Sequence, residues 1–219
     1  MRGGVVRLVT GPLDVNTYIA VGPGGDCLVV DPGSCTPVAR WLERLGCRRV
    51  VVAVTHGHFD HVGGVDCLVE RGAVLAAHPL EPRVSVESAR TARSLWGLPV
   101  EPQSSRVLLE LGEGSILEAG GLRLRVHHTP GHSPDHIILH DSRAGLAFVG
   151  DLVFAGSVGR VDMPGASPLE MVRSLERLPT LLGAGTRLLP GHGPETLMAR
   201  ELEGNPFLRR PALLLEGLH

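Results

Sequence analysis

Short apolar runs rich in β-branched residues recur along this chain, and most end at glycine, proline or a side chain that can bind a metal. Val50-Val51-Val52-Ala53-Val54 is uncharged and short, the pattern of a strand buried on both faces. Leu122-Arg123-Leu124-Arg125-Val126 alternates apolar and polar, the pattern of a half-buried strand. Read this way, strands fall near 4–10, 16–21, 26–31, 50–54, 73–77, 107–109, 115–118, 122–127, 136–140, 145–149 and 186–189. Helical periodicity predicts helices near 36–46, 62–71, 80–95, 168–178 and 194–203. Residues 81–105 are the least regular stretch, an Ala/Arg/Ser helix bearing Trp96 among prolines. It either overhangs a site at the strand ends or packs as an outer helix.

The segment after the Val50–Val54 run is chemically dense. Thr55-His56-Gly57-His58-Phe59-Asp60-His61 places His56, His58, Asp60 and His61 within six residues. In extended backbone, residues i and i+2 share a direction, so His56 and His58 can share one ion while Asp60 and His61 turn toward a second. Core packing has no use for such a cluster: burying a carboxylate among imidazoles without a cation costs several kcal/mol. The same arrangement, a strand followed by a ligand, recurs at His132, Asp151 and His192, each beside a glycine that lets backbone approach closely. Nitrogen and oxygen donors together suit Zn²⁺, Mn²⁺ or Fe²⁺ better than Ca²⁺ or Mg²⁺. Of the eleven histidines, His78, His136, His140 and His219 have no ligand-like neighbours, and His127 and His128 are read as strand residues, not ligands.

These motifs, with Leu13–Ala20, Val29-Val30-Asp31-Pro32-Gly33-Ser34 and Phe148–Arg160, resemble the metallo-β-lactamase-fold superfamily and, within it, the glyoxalase II-like (hydroxyacylglutathione hydrolase-like) enzymes of short, single-domain form. The resemblance spans nearly the whole chain. It implies an α/β (α+β) fold, a four-layer αββα sandwich of two mixed β-sheets with outer helices, over one domain, 1–219. It further implies two divalent metal ions, with Zn the first choice and Fe or Mn as alternatives. His56, His58 and His132 would hold one ion, Asp60, His61 and His192 the other, and Asp151 would bridge them. Asp31 would stand behind the ligands, and Arg160 would contact the acid group of a substrate, unless it simply pairs with Asp162. The implied reaction is cleavage of a small-molecule thioester or related ester by a metal-bound hydroxide, with Asp60 as ligand and proton acceptor. The runner-up is a mononuclear iron persulfide dioxygenase-like oxidoreductase; a non-catalytic metal-binding protein is a third reading.

Composition narrows the partners. Net charge is −2, which gives no basic footprint for nucleic acid or an anionic membrane surface. All 21 basic residues are arginine. No apolar run is long enough to cross a bilayer and none near residue 1 resembles a secretory signal, so a cytoplasmic setting is expected. Cys27, Cys35, Cys47 and Cys67 form no Cys-x-x-Cys pair, and Cys27, Cys47 and Cys67, in or beside apolar segments, read as small buried hydrophobes, not as a disulfide frame. Oligomeric state is left open.

Overall fold

Two mixed sheets stack face to face in the computed structural model, which describes residues 4–216; His219 lies outside them. The first half of the chain builds one sheet from β1 (Val5–Thr10), β2 (Val15–Val21) and β3 (Asp26–Val30), then α1 (Cys35–Arg44), β4 (Arg49–Ala53), α2 (Phe59–Val62), α3 (Val65–Glu70), β5 (Val74–Ala77), α4 (Glu81–Trp96) and β6 (Leu109–Glu110). Its strands lie in chain order, antiparallel from β1 to β3 and parallel from β3 to β6. The second half supplies β7 (Ile116–Ala119), β8 (Leu122–His128), β9 (Ile137–Asp141), β10 (Leu146–Gly150), the hairpin β11 (Val153–Phe154) and β12 (Ser157–Val158), α5 (Pro168–Leu181), β13 (Arg187–Pro190), β14 (Thr196–Leu197), α6 (Met198–Gly204) and α7 (Pro206–Arg209). That sheet runs β14-β13-β10-β9-β8-β7, with only β10 and β13 parallel.

Strand alternation sorts the apolar residues into three layers of core. Tyr18, Leu28, Leu124, Leu139 and Phe148 meet between the sheets. Their neighbours in sequence point the other way: Ile19, Val29 and Val52 pack under α1 and α3, while Ile138, Ala147 and Val149 pack under α5. This is the αββα sandwich the resemblance implies, with β2, β3, β9 and β10 buried on both faces and β8 alternating buried and exposed residues. No helix among the described residues is long and apolar enough to cross a membrane.

Two local departures from the predicted elements have clear causes. The helix expected over 62–71 is instead α2 and α3, broken at Gly63-Gly64. A Cβ on Gly63 would lie 2.6 Å from the Gly33 carbonyl oxygen, and Gly64 N–H donates to the Pro32 carbonyl at 2.7 Å. The Asp31-Pro32-Gly33 turn therefore needs that break. The helix expected from 194 begins at Met198, because Thr196 and Leu197 pair with Leu188 and Arg187 as an edge strand.

The cysteine reading is corrected. All four are bonded, Cys27 to Cys47 and Cys35 to Cys67, with Cα–Cα separations of 5.8 and 6.0 Å. These separations are those of ordinary disulfides. The β3-α1-β4 crossover carries Cys47 back beside Cys27, and α1 lies against α3, so partners 20 and 32 residues apart become neighbours. Such disulfides are typical of oxidising compartments or of the intracellular proteins of hyperthermophiles, which bears directly on the expected setting. Replacing Cys27 and Cys47 together by serine should cost about 3 kcal/mol in guanidinium unfolding, the scale of closing a loop this long. Four titratable thiols in the denatured, unreduced protein would overturn the pairing.

Candidate metal centre

All seven predicted ligand side chains converge on one rim, at strand ends from both sheets. His56 and His58 follow β4 in extended backbone, and Asp60 and His61 lie on the single turn of α2. His132 follows β8, Asp151 is the first residue after β10, and His192 lies just past β13. Three sets of donor atoms lie within 4.8 Å of one another: His56, His58 and His132; Asp60, His61 and His192; and, between them, His56, His61 and Asp151. The His58 Nδ1 atom is 3.1 Å from His56 Nε2 and 2.9 Å from His132 Nε2. Asp151 reaches both sides, Oδ2 lying 3.5 Å from His132 Nε2 and 3.7 Å from His192 Nε2, and Oδ1 lying 3.5 Å from His61 Nε2.

The outward-facing ring nitrogens fix which nitrogen stays free. Thr55 Oγ1 donates to Asp31 Oδ2, so it accepts from His56 Nδ1–H at 3.1 Å and leaves His56 Nε2 with its lone pair. The Arg160 carbonyl only accepts, so His132 Nδ1–H donates to it at 2.8 Å and Nε2 is free. Asp31 Oδ2 takes His61 Nδ1–H at 3.0 Å and again frees Nε2. Each ring thus turns a lone pair toward the shared space, as a metal-binding imidazole oriented by an outer acceptor does. Asp31 occupies its predicted place behind the ligands, its Oδ1 also accepting from Thr55 N–H at 2.7 Å.

Charge and burial favour a cation here. Burial holds His56 and His58 well below the ordinary imidazole pKa, in the neutral form that ligates, and His132 is lowered for the same reason. His61 is the exception. Burial opposes its charging, but Asp60, Asp151 and Asp31 outweigh it and push it up to about 10. Burial would raise the Asp60 carboxyl, yet His61, His192 and His58 hold it far below the usual range. Three carboxylates around one imidazole therefore call for positive charge. His61 Nε2 and Asp151 Oδ1 are buried with no hydrogen-bond partner, an arrangement that costs free energy unless an ion sits between them. The residues fit divalent ions of the Zn, Fe or Mn type.

Several supports were not singled out from the sequence. His136 is fully buried and does not join the ligand sets; its Nε2 accepts from Asp151 N–H at 3.1 Å while Nδ1 faces Thr129 Oγ1 at 2.9 Å. Asp135, also fully buried, accepts from Gly57 N–H at 2.7 Å and so ties the His132 loop to the turn between His56 and His58. Asn16 and Tyr18 on β2 both donate to the Pro190 carbonyl, at 2.9 Å each, and Asn16 also donates to Gly193 O at 2.8 Å, clamping both sides of His192. Gly191 is obligatory for space: a Cβ there would lie 2.2 Å from Asp151 Oδ1. A pattern search for strand ends and paired ligands sees none of these long-range bonds.

The remaining histidines behave as structural residues. His127 and His128 end β8, His127 near Glu113 and His128 stacked on His78 at 4.5 Å, and His140 faces His127. The Arg160 guanidinium pairs with Asp162 through Nε–Oδ1 and Nη2–Oδ2 contacts of 2.6 and 2.8 Å, while its backbone carbonyl serves His132. Helix α4 overhangs the rim: Ser88 and Trp96 line a cleft of about 390 Å³ together with His58, Asp60, Asp151 and His192.

His136→Ala should leave Asp151 N–H without its acceptor and weaken metal retention about 10- to 100-fold, with His136→Gln recovering part of it. Elemental analysis after dialysis against a graded chelator series measures this. Unchanged metal content in His136→Ala would show that Asp151 is held by other means.

Residues 10–194 match the metallo-beta-lactamase superfamily, a span that takes in all seven converging side chains. The hydroxyacylglutathione hydrolase GloC of Haemophilus influenzae is 30% identical over 82% of this chain and 86% of its own. Among solved structures, the B3 metallo-beta-lactamase BLEG-1 superposes with a TM-score of 0.86 at 27% identity, over 94% of this chain and 99% of that one. TTHA1623, solved in a di-iron-bound form, superposes with a TM-score of 0.82 at 38% identity, over 92% of this chain and 99% of that one. Sheet order, the ligand-bearing strand ends and this match agree, and the chain belongs to the metallo-beta-lactamase superfamily.

Proposed function

We propose that this protein is a dinuclear metal-dependent hydrolase that cleaves a small-molecule thioester or a related activated ester. The observation that carries the reading is the set of ring nitrogens freed by outer acceptors at His56, His61 and His132, facing two carboxylates in one rim. In this reading His56, His58 and His132 hold one ion, Asp60, His61 and His192 the other, and Asp151 stands between. Divalent ions held there supply Lewis acidity and lower the pKa of a bound water from 15.7 to about 7. The similarity to a hydroxyacylglutathione hydrolase supports thioester substrates, and the di-iron relative makes Fe a direct competitor of Zn for the site.

The residues supply position and a proton path. Asp60 Oδ2 lies 3.1 Å from His192 Nε2 and 3.7 Å from His61 Nε2, so one oxygen is committed to the second ligand set. The carboxylate takes the proton of the attacking water. The water oxygen bonds to the acyl carbon, the carbon–sulfur bond breaks, and the thiolate leaves with that proton, giving one acid and one thiol. Asp31 and the Arg160 carbonyl keep His61 and His132 in the required tautomers throughout. Nucleic acid and membrane have no part in this reading.

The natively purified protein should carry two equivalents of divalent metal and hydrolyse members of a thioester and ester panel, with chelation abolishing turnover and Zn, Fe or Mn restoring it. Asp151→Ala should lose both ions and lower kcat/KM on the order of 10³-fold, the scale of removing one strong transition-state contact. Retention of both ions in that variant would refute the bridge. Oxygen uptake with glutathione persulfide, without thioester cleavage, would replace the hydrolase reading with the dioxygenase one.

A further inference from the structure

We propose that a second cavity beside His58 is the acyl subsite of this enzyme and that it takes a straight, apolar acyl chain of roughly six to eight carbons. The inference rests on the hydrolase reading above and narrows its substrate class. The cavity is an open recess of about 250 Å³ between α4 and the loop before α5. It lies beside the metal-side cleft, with His58, Ser88 and Met163 lining both. An acyl carbonyl seated at His58 would have one of these two spaces on each side.

The walls decide which half of the substrate goes where. Leu80, Val84, Pro134, Met163 and Pro164 make the small cavity apolar. Its polar members are few: Ser88 Oγ accepts from Phe59 N–H at 3.0 Å, Arg83 and Glu87, of opposite charge and one turn apart, are exposed, and the buried Thr91 adds one hydroxyl. A hydroxyl or peptide group entering here would lose water for few partners, an unfavourable exchange. A long polar thiol carrier suits the larger cleft over the metals, which opens past Leu13, Trp96 and Phe154. At about 30 Å³ for a water-sized group, the small cavity accommodates roughly eight heavy atoms.

The state of Arg160 points the same way. A clamp for the acid group of a tripeptide carrier needs a free guanidinium fork. Here both arms of that fork lie on Asp162, at 2.6 and 2.8 Å. Discrimination then falls to the acyl half, where each methylene buried in an apolar pocket is worth about fourfold in binding.

The test uses the natively purified, metal-loaded protein and N-acetylcysteamine thioesters from acetyl to dodecanoyl. kcat/KM should rise about fourfold per methylene to an optimum at six to eight carbons and then fall. Leu80→Trp, at an exposed position that leaves the core alone, should lower the octanoyl-to-acetyl ratio about tenfold, and Val84→Trp more. Calorimetric titration with the non-hydrolysable S-octyl thioether of the same carrier should show binding that Leu80→Trp weakens about tenfold. Turnover with a flat or falling chain-length profile, or a preference for hydroxyacyl over plain acyl groups of equal length, would overturn the subsite. Absence of turnover on every thioester would instead overturn the hydrolase reading; the thioether titration would then decide the cavity by itself, and no binding would end the claim.

Discussion

Three carboxylates, Asp31, Asp60 and Asp151, surround the His61 ring inside the protein, and that concentration of negative charge is what the rest of the rim is built to hold. Water would normally disperse such charge, but these groups are nearly or wholly buried. Desolvated carboxylates cost several kcal/mol each unless a counter-charge is close. A proton on His61 answers part of that demand, which is why its pKa is pushed up to about 10 after burial is overcome. Divalent ions would answer it more fully, and they would also use the lone pairs that His56, His58 and His132 turn inward. The outer acceptors serve the same end: each takes the hydrogen bond of a far ring N–H and so orients the inner nitrogen toward an ion.

Holding that geometry is a task for the whole sandwich. Sheet one supplies the paired histidines and the α2 turn, and sheet two supplies His132, Asp151 and His192, so neither half of the chain contains a complete centre. The seam between the sheets is closed by hydrogen bonds that cross it. Asn16 and Tyr18 on β2 grip the end of β13, and Ile137 N–H donates to the Thr55 carbonyl at 2.8 Å. Asp135 adds a buried bond from the His132 loop to Gly57. Backbone must come close at these crossings, which is why Gly191 faces Asp151 with no room for a side chain. Stability of the inter-sheet core and geometry of the rim are therefore one property of the fold.

The ligand-bearing strand ends were legible because their signal is local. A β-branched run followed by His or Asp beside glycine states both the element and the chemistry, and the seven positions so marked converge in space. Asp31 was legible for the same reason, as the residue after β3. The supports were not. Nothing near His136 in sequence marks it as an acceptor for Asp151 N–H, and a buried Asp135 looks like any turn aspartate until the two sheets bring the loop after β8 against the segment after β4. Disulfides failed in the same way, since Cys27 meets Cys47 only after a parallel crossover has closed. The split between α2 and α3 reflects a collision with the Asp31 turn, a contact thirty residues away in the chain. Local patterns carried the chemistry, and the folded topology carried what orients it.

The division between rim and wall has a consequence for specificity. Residues that hold ions are constrained from several sides at once, by outer acceptors, by glycine contacts and by the opposing sheet, so exchanging any one disturbs several. Helix α4 is tied to the rim on one face only. Its first turns pack on Gly57, where a Cβ would lie 2.7 Å from Glu81 O, Ser88 accepts from Phe59 N–H and Trp96 stands 6.1 Å from Phe59, while its outward residues are free to vary in size. Arg160 shows the complementary case: its carbonyl is committed to His132, whereas its side chain, exposed and paired with Asp162, is not committed to the ions at all. On the proposed function, a fold arranged this way would keep one hydrolytic centre and change what it cleaves by altering one helix and one loop. The apolar cavity between α4 and the loop before α5 lies where that freedom is greatest and borders His58, which is why the proposed acyl subsite is placed at that wall.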